Sequence, residues 1–350
     1  MFTSAQLDED LLLLIRHYLN QPELLIERLR NRSPDDISAP LKSDPVNRAL
    51  LKLDKRWLEA EGHHLVLLDD PDYPLLLRQL DDPPLALWVD GDRSRLSSID
   101  LAVSIVGSRK ASQYGRHQST KLAAELSRHG AVIVSGLALG IDAAAHEGAL
   151  ESNGVTIAVL GSGCDEIYPR RHWRLADRIR EQGVIVSEFP PGTPAYPANF
   201  PRRNRIVTGL ADAVIVVEAA PRSGSLVSAR LGLSQGREVM AVPGPVSQQN
   251  TKGCHQLIRD GALLVETADD VLRGLGRLED PRVACLPSTN LSPAETRMLE
   301  LLSLNPLTID HLVAELGQEV DEVTVSLVSL EVMGHIFSEG GIYHVRGRAG

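Results

Sequence analysis

The sequence predicts an α/β protein: a doubly wound, parallel sheet with helices on both faces, flanked by an N-terminal helical domain and a C-terminal module of three helices and a hairpin. Two observations carry this. From residue 101 to residue 242, short apolar runs alternate with polar, helix-like segments over short linkers, the pattern of buried parallel strands and their crossovers. Two successive runs, Leu101 to Val106 and Ala131 to Val134, also break directly into glycine turns that open helices. The turns are Gly107-Ser108-Arg109 and Ser135-Gly136-Leu137-Ala138-Leu139-Gly140-Ile141-Asp142. In such sheets these turns lie at the carboxyl ends of the strands, where ligands bind. Glycine admits close backbone approach, and the free N–H groups of a helix start favour an anion. A phosphate cradle is expected.

Composition bounds the class. The 350 residues are 43% hydrophobic and 23% charged, ordinary for a soluble globular chain of two or three domains. No run approaches the ~18–20 apolar residues of a membrane span. Leu11 to Ile15 is short and follows Asp8-Glu9-Asp10, the wrong charge for a secretory leader, so a cytoplasmic location is expected. Cys164, Cys254 and Cys285 are odd in number and far apart, and His63-His64 lacks a partner motif, so neither a disulfide framework nor a metal is expected. The formal charge of −10 conceals an asymmetry. Residues 101–265 carry 18 Lys/Arg against 13 Asp/Glu, whereas the rest carry 18 against 33. The local field, rather than the total, steers a polyanion.

Taken in order, residues 1–60 read as short helices, with Leu12, Ile15, Leu19 and Leu24, Leu25, Leu29 at helical spacing and a helix start at Ser33-Pro34-Asp35-Asp36. Leu65 to Leu68 and Leu85 to Val89 read as strands at the edge of the sheet that Leu101 to Val106 continues. A helix is expected from Gly115 to His129 and another, Ala-rich, from near Ala143. Further strands are expected at Val155 to Leu160, Val184 to Ser187, Ala213 to Val217 and Val239 to Val242. Helices fit at His172 to Glu181, Arg205 to Leu210 and Ser225 to Gly236. Residues 61–272 form one domain in this reading, and 273–290, with two glycines, two prolines and no periodicity, form a linker. Over 291–346, helices at Pro293 to Leu302, Ile309 to Leu316 and Val320 to Val332 precede a hairpin across Glu339-Gly340-Gly341, which suggests a winged helix. Its last helix has no Lys or Arg, and the module holds 9 acidic against 2 basic residues. Repulsion from phosphate argues for a protein-interaction or packing role there rather than DNA binding.

Several constellations bear on chemistry. Gly107-Ser108-Arg109 adds a guanidinium and a hydroxyl to backbone donors. Ser135-Gly136 and Gly140-Ile141-Asp142 repeat the arrangement, with Asp142 able to cap its helix. Gly161-Ser162-Gly163-Cys164-Asp165 is a third turn, followed by Tyr168-Pro169-Arg170-Arg171; Glu166 stands where a dinucleotide fingerprint needs glycine. In Asn199-Phe200-Pro201-Arg202-Arg203-Asn204-Arg205-Ile206, three arginines in four positions supply phosphate contacts and Phe200 offers a face to an unpaired base. The alternative is a solvated helix start with Phe200 in the core. Ser223-Gly224-Ser225 and Pro243-Gly244 would line the same rim. Glu218 is either a catalytic carboxylate or a structural acceptor at a strand end. No P-loop, nucleophile elbow or Cys/His pairing is present, so the groove points to binding.

These motifs, in this order, resemble the DprA/Smf family (DNA processing protein A). The resemblance runs through Val106-Gly107-Ser108-Arg109 with Tyr114-Gly115, the Ser135 to Asp142 turn, Gly161 to Asp165 with Tyr168-Pro169, and Ser187-Glu188-Phe189-Pro190-Pro191-Gly192. Phe200 to Ile206, Ser223-Gly224-Ser225-Leu226 and Val242-Pro243-Gly244 complete it, over roughly residues 63–265. It implies an extended Rossmann-like fold that dimerises, binds single-stranded DNA in a basic pocket and recruits RecA, protecting incoming DNA during natural transformation. It also implies a SAM-like N-terminal domain and no cofactor. The implied pocket is Gly107, Ser108, Arg109, Ser135, Gly136, Gly140, Phe200, Arg202, Arg203 and Asn204; Arg170, Arg205, Ser223, Gly224, Ser225 and Gly244 join it from the residue reading. Two positions depart from the family pattern: Leu139 stands where arginine is usual, and His255 where asparagine is. Neutralising about three to five phosphates would give a log–log salt slope of roughly −2 to −3.5. The competing reading is a nucleotide-processing hydrolase of the phosphoribohydrolase type, but Pro243-Gly244-Pro245-Val246 offers no acid and proline removes a donor.

Overall fold

In this computed structural model, residues 9–19, 21–29, 33–278, 291–332 and 335–345 are described. The chain divides into two compact units, Met1–Leu278 and Glu279–Gly350. Among the described residues no helix is long and apolar enough to cross a bilayer.

The first unit is built on a nine-stranded sheet. Its strands are β1 (His63–Leu67), β2 (Ala86–Gly91), β3 (Ala102–Val106), β4 (Val132–Ser135), β5 (Thr156–Leu160), β6 (Val184–Ser187), β7 (Ala213–Val216), β8 (Glu238–Ala241) and β9 (Leu263–Leu264). They lie in the order β1-β2-β6-β5-β4-β3-β7-β8-β9. From β6 to β9 every pairing is parallel; β2 joins β6 and β1 antiparallel, which makes the expected edge. The chain steps outward from β3 to β6, then returns to lay β7 on the other side of β3. This order reversal opens a crevice at the carboxyl ends of β3 and β7.

Alternation along the strands fills both faces. Val103 and Ile105 pack with Leu122 and Leu126 of α7 (Gln113–Arg128) and with Ile141, Ala145 and Ala149 of α8 (Ile141–Glu151). Ala102 and Val106 face the opposite layer, with Ile206, Val207 and Leu210 around α10 (Asn199–Gly209) and Ala229 of α11 (Gly224–Ser234). Helix α9 (Trp173–Gln182) buries Leu175, Ala176 and Ile179 in a third cluster. That cluster also holds Leu11, Leu12, Leu13 and Ile15 of α1 (Glu9–His17) and Leu51 and Trp57 of α4 (Pro45–Leu58), so these N-terminal helices share a core with the sheet. Between them lie α2 (Pro22–Leu29) and α3 (Pro34–Lys42), the latter begun by Ser33 as the sequence predicts, its side chain accepting from Asp36 N–H; the short helices α5 (Leu75–Arg78) and α6 (Ser94–Ser97) flank β2 in the chain.

The strands fall within two residues of their expected positions. Helix α10 differs: it starts six residues before the expected Arg205, because Pro201 sits in its first turn, where a missing N–H costs nothing. Lys252–Arg259 and Ala268–Gly274 are two further helices, the second running two residues into the stretch read as linker. Of the rest of that stretch, residues 275–278 are turn and bend, and residues 279–290 lie outside the described residues.

In the second unit, helices Pro293–Leu304, Ile309–Leu316 and Val320–Val332 enclose Met298, Leu302, Leu312, Val323, Leu327 and Leu330. Strands Ile336–Glu339 and Ile342–Val345 form the expected hairpin, to which Leu307–Thr308 adds a third antiparallel strand. Ser292 and Glu295 close a reciprocal capping box at the first helix.

Candidate functional site

An open cleft of about 530 Å³ occupies the crevice where the strand order reverses. It gathers Gly107, Ser108 and Arg109 from the end of β3 with Ser223, Gly224 and Ser225 from the start of α11. Phe200, Arg203 and Asn204 of α10 face it, Asp142 lines it from the second glycine turn, and so do Lys110 and Asn250, which the sequence reading did not place there. The two glycine turns are held together by Ile141 N–H, which donates to Ser108 O at 3.3 Å. Gly140 makes this approach possible: its φ of +83° suits glycine, and a Cβ would collide with Ser108 O. Ser223 caps α11, its hydroxyl accepting from Ser225 N–H at 3.2 Å and lying 3.0 Å from the Ser225 hydroxyl.

The rim carries an aromatic stack. The guanidinium of exposed Arg109 lies over the Phe200 ring at 5.1 Å from its centroid, and the Tyr168 ring tilts against Phe200 at 5.6 Å. Asn199 Nδ2 donates to Gly161 O at 3.0 Å and so fixes the start of α10. Phe200 is half-buried and lines the cleft rather than filling the core.

The three arginines after Phe200 do not act as one cluster. Successive helical residues point about 100° apart, so Arg203 leaves the helix on a different side from Arg202 and Arg205, which are i,i+3 neighbours. Arg202 Nε donates to Glu188 at 2.8 Å, and its guanidinium also reaches Leu19 O. Arg205 donates to the other oxygen of Glu188 and to Asp82 O at 2.6 Å. Glu188, just beyond β6, is a buried hub joining α10 to the sheet. The expectation that these arginines form one free phosphate-binding cluster is therefore corrected: Arg202 and Arg205 share the single carboxylate of Glu188.

Arg203 is 3% exposed and donates from Nη1 to Gly136 O at 2.6 Å and to Val159 O, clamping the ends of β4 and β5. Burial pushes its guanidinium down to about 10, against the attraction of Asp142. Gly136 is the space this clamp needs, because a Cβ there would overlap the guanidinium. Asp142 is in the first turn of α8 and reaches back to Ala138 N–H at 3.4 Å; it shapes the glycine turn instead of capping the helix end, and burial raises its carboxyl above the usual range. Beside this pair, desolvation lowers His146 to about 3, and its Nδ1 lies 2.7 Å from the Thr156 hydroxyl.

Other expected site residues fall behind or beside the cleft. Ser135 Oγ donates to Ile105 O at 2.6 Å, inside the sheet. Gly244 O accepts from the His255 ring at 3.0 Å, in a neighbouring loop. Arg170 is 86% exposed and stands 3.7 Å from Glu166. Glu218 is buried and accepts from Ser112 N–H at 2.9 Å and from the Ser112 hydroxyl, a structural acceptor at the start of α7. The cleft thus offers backbone and hydroxyl donors, one exposed guanidinium on an aromatic face and Lys110 beside it, a set suited to phosphate and an unstacked base.

Comparison with known proteins gives a consistent result. Residues 64–276 match the family described as DNA recombination-mediator protein A, and residues 284–341 match the DprA winged helix domain. Protein Smf of Escherichia coli is 46% identical over 295 residues, covering 82% of this chain and 78% of that protein. The X-ray structure of DNA processing protein A from Streptococcus pneumoniae is similar with a TM-score of 0.63 and 34% identity, over 79% of this chain and 95% of that one. A Helicobacter pylori DNA processing protein A, whose structure is described as revealing a single-stranded DNA binding mode, matches with a TM-score of 0.55 and 32% identity, over 61% of this chain and 96% of that one.

Proposed function

The chain belongs to the DNA recombination-mediator protein A (DprA/Smf) family, and on that premise we propose that its cleft binds single-stranded DNA without reading sequence, so that RecA can be loaded on the strand. The observation that carries this is the Arg109–Phe200–Tyr168 stack at the mouth of a glycine-lined cradle. Backbone amides, hydroxyls and Arg109 hold phosphates while Phe200 supports a base, a combination indifferent to sequence because every base has a π-face.

Binding without catalysis is the favoured reading. Among the described residues the cleft is lined by one carboxylate, Asp142, which is buried and bonded to its own turn. Glu218, the other acid considered, is engaged by Ser112. The protein works in the cytoplasm as a homodimer and shelters incoming strands during transformation. Its winged-helix module meets a protein rather than DNA: the helix Val320–Val332 exposes Asp321, Glu322 and Glu331 and has no Lys or Arg.

The salt dependence of binding tests the cleft. With Arg202, Arg203 and Arg205 committed to the fold, Arg109 and Lys110 are the exposed cations lining it. A strand of about four nucleotides should therefore give a log–log slope near −1.4, about 0.7 for each of two phosphates. Fluorescence anisotropy of a labelled short oligo-dT over a salt series measures this, and a slope of zero would remove the electrostatic reading.

A further inference from the structure

We propose that a single strand held in the cleft continues onto a second platform, the exposed side of α9 and the turn before it, where Trp173 stacks a base and Arg171, Arg174 and Arg178 take phosphates. This rests on the reading of the cleft as a single-strand site and extends it to a surface outside that cavity.

Continuity is the first support. Tyr168 is the outer member of the cleft's aromatic stack, and the chain runs from it through Arg170–His172, a turn of 3-10 helix, into α9. His172 Nδ1–H donates to Leu137 O at 2.8 Å, which fastens this turn to the glycine loop of the cleft. Trp173 follows Tyr168 by five residues on this fastened turn, and the proposed path takes the strand from Phe200 past Tyr168 to it.

Exposure is the second. Of the chain's three tryptophans, Trp57 and Trp88 are 8% and 0% exposed, whereas Trp173 is 54% exposed. A large indole left in solvent at a helix start is informative in a way that a scattered small hydrophobe is not. The Arg174 guanidinium lies 5.0 Å from the centroid of the Trp173 ring, so cation and aromatic are already assembled.

Charge is the third. Helix α9 turns Leu175, Ala176 and Ile179 into the core and leaves Arg174 and Arg178 outside, with Arg171 exposed just before it. Arg174 and Arg178 are i,i+4 neighbours, separated by about 6 Å along the axis. Arg171, Arg174 and Arg178 make no ion pair among the described residues. Arg180 on the same helix shows the contrast, bonded to Asp90 at 2.7 Å and Asp177 at 2.6 Å. Of the nearby acids, Asp177 shares Arg180 with Asp90 and Glu166 faces Arg170 at 3.7 Å, leaving Glu181 exposed. Guanidiniums interleaved with an exposed aromatic match a single nucleic-acid strand better than an acidic protein, which would need no stacking face.

Trp173 reports on its own site. Oligo-dT of about four and about 20 nucleotides is titrated into the full chain while tryptophan emission and anisotropy are followed. The long strand should quench emission and bind at least about tenfold tighter than the short one, which should bind without quenching. Trp173→Phe should keep the long-strand affinity and lose the quench. Replacing Arg171, Arg174 and Arg178 with alanine should weaken the long strand about tenfold and flatten its salt slope by about 2, at 0.7 per phosphate, while the short strand binds as before. That unchanged short-strand affinity also certifies the fold of the variant. An unaltered long-strand affinity in the triple variant, or equal quenching by the short strand, overturns the second platform and leaves the cleft intact. Failure of the wild-type protein to bind either strand overturns the reading on which it rests.

Discussion

Phe200→Ala should weaken single-stranded DNA binding by about 10- to 100-fold, the largest loss expected from any single change in the cleft. Stacking a base on an aromatic ring contributes about 1–3 kcal/mol by alanine substitution. Phe200 is positioned by two neighbours, the Arg109 guanidinium at 5.1 Å from its centroid and the tilted Tyr168 ring at 5.6 Å. Truncation removes the platform and also releases Arg109 from its resting place over the ring. By comparison Arg109→Ala deletes one phosphate contact and should reduce the salt slope by about 0.7, an effect that salt itself erodes. Phe200→Tyr should retain most of the affinity, because it preserves the π-face. Anisotropy with a short oligo-dT measures all three, with thermal unfolding as the control for packing. A Phe200→Ala protein that binds like the wild type would mean that bases do not stack there.

Glu188→Ala should have the largest effect on stability, lowering that of the first unit by about 3–5 kcal/mol, the range seen when one partner of a buried ionic cluster is removed. Glu188 is 4% exposed and accepts from both Arg202 and Arg205. Deleting it strands two guanidiniums between α10 and the sheet. Against a total stability of about 5–15 kcal/mol this is a large fraction, and it should appear as a thermal midpoint lower by about 10 °C or more. Glu188→Gln keeps an acceptor and should lose less. The same assignment requires Arg202→Ala to lower the midpoint while changing short-strand affinity by less than about twofold, since that guanidinium serves the fold. Loss of DNA affinity with an unchanged midpoint would return Arg202 to the phosphate site.

Much of this architecture was legible in the sequence, and the exceptions have physical causes. Buried parallel strands are continuous apolar runs, and glycine punctuates their ends, so β3 to β8 and the turns after β3 and β4 could be placed from composition alone. Leu263–Leu264 and Leu307–Thr308 are two-residue strands, too short to show any period. Helix α10 begins six residues before the helix expected at Arg205, with Pro201 tolerated in its first turn. That one boundary decided the fate of the arginine run. In an extended segment its side chains share a groove; on a helix they diverge, and acids distant in sequence claim them. Glu188 is 14 residues from Arg202 and 17 from Arg205, a pairing that no local pattern encodes. Of the cleft, Gly107, Ser108, Arg109, Asp142 and Ser223 to Ser225 were legible because turn chemistry is local, and Phe200 and Asn204 because they sit in the arginine run, whereas Asn250 reaches it only through the fold. Trp173 gave no signal, because exposure is a property of packing.

The most direct measurement is photo-crosslinking of an oligo-dT carrying 5-iodouracil, followed by mapping of the adducts on the 350-residue chain. Adducts on Phe200 and Tyr168, competed by unlabelled single strand but not by duplex, are the predicted result. Adducts confined to the helix Val320–Val332, or none under conditions where the strand is bound, would contradict a single-strand site at the crevice between β3 and β7.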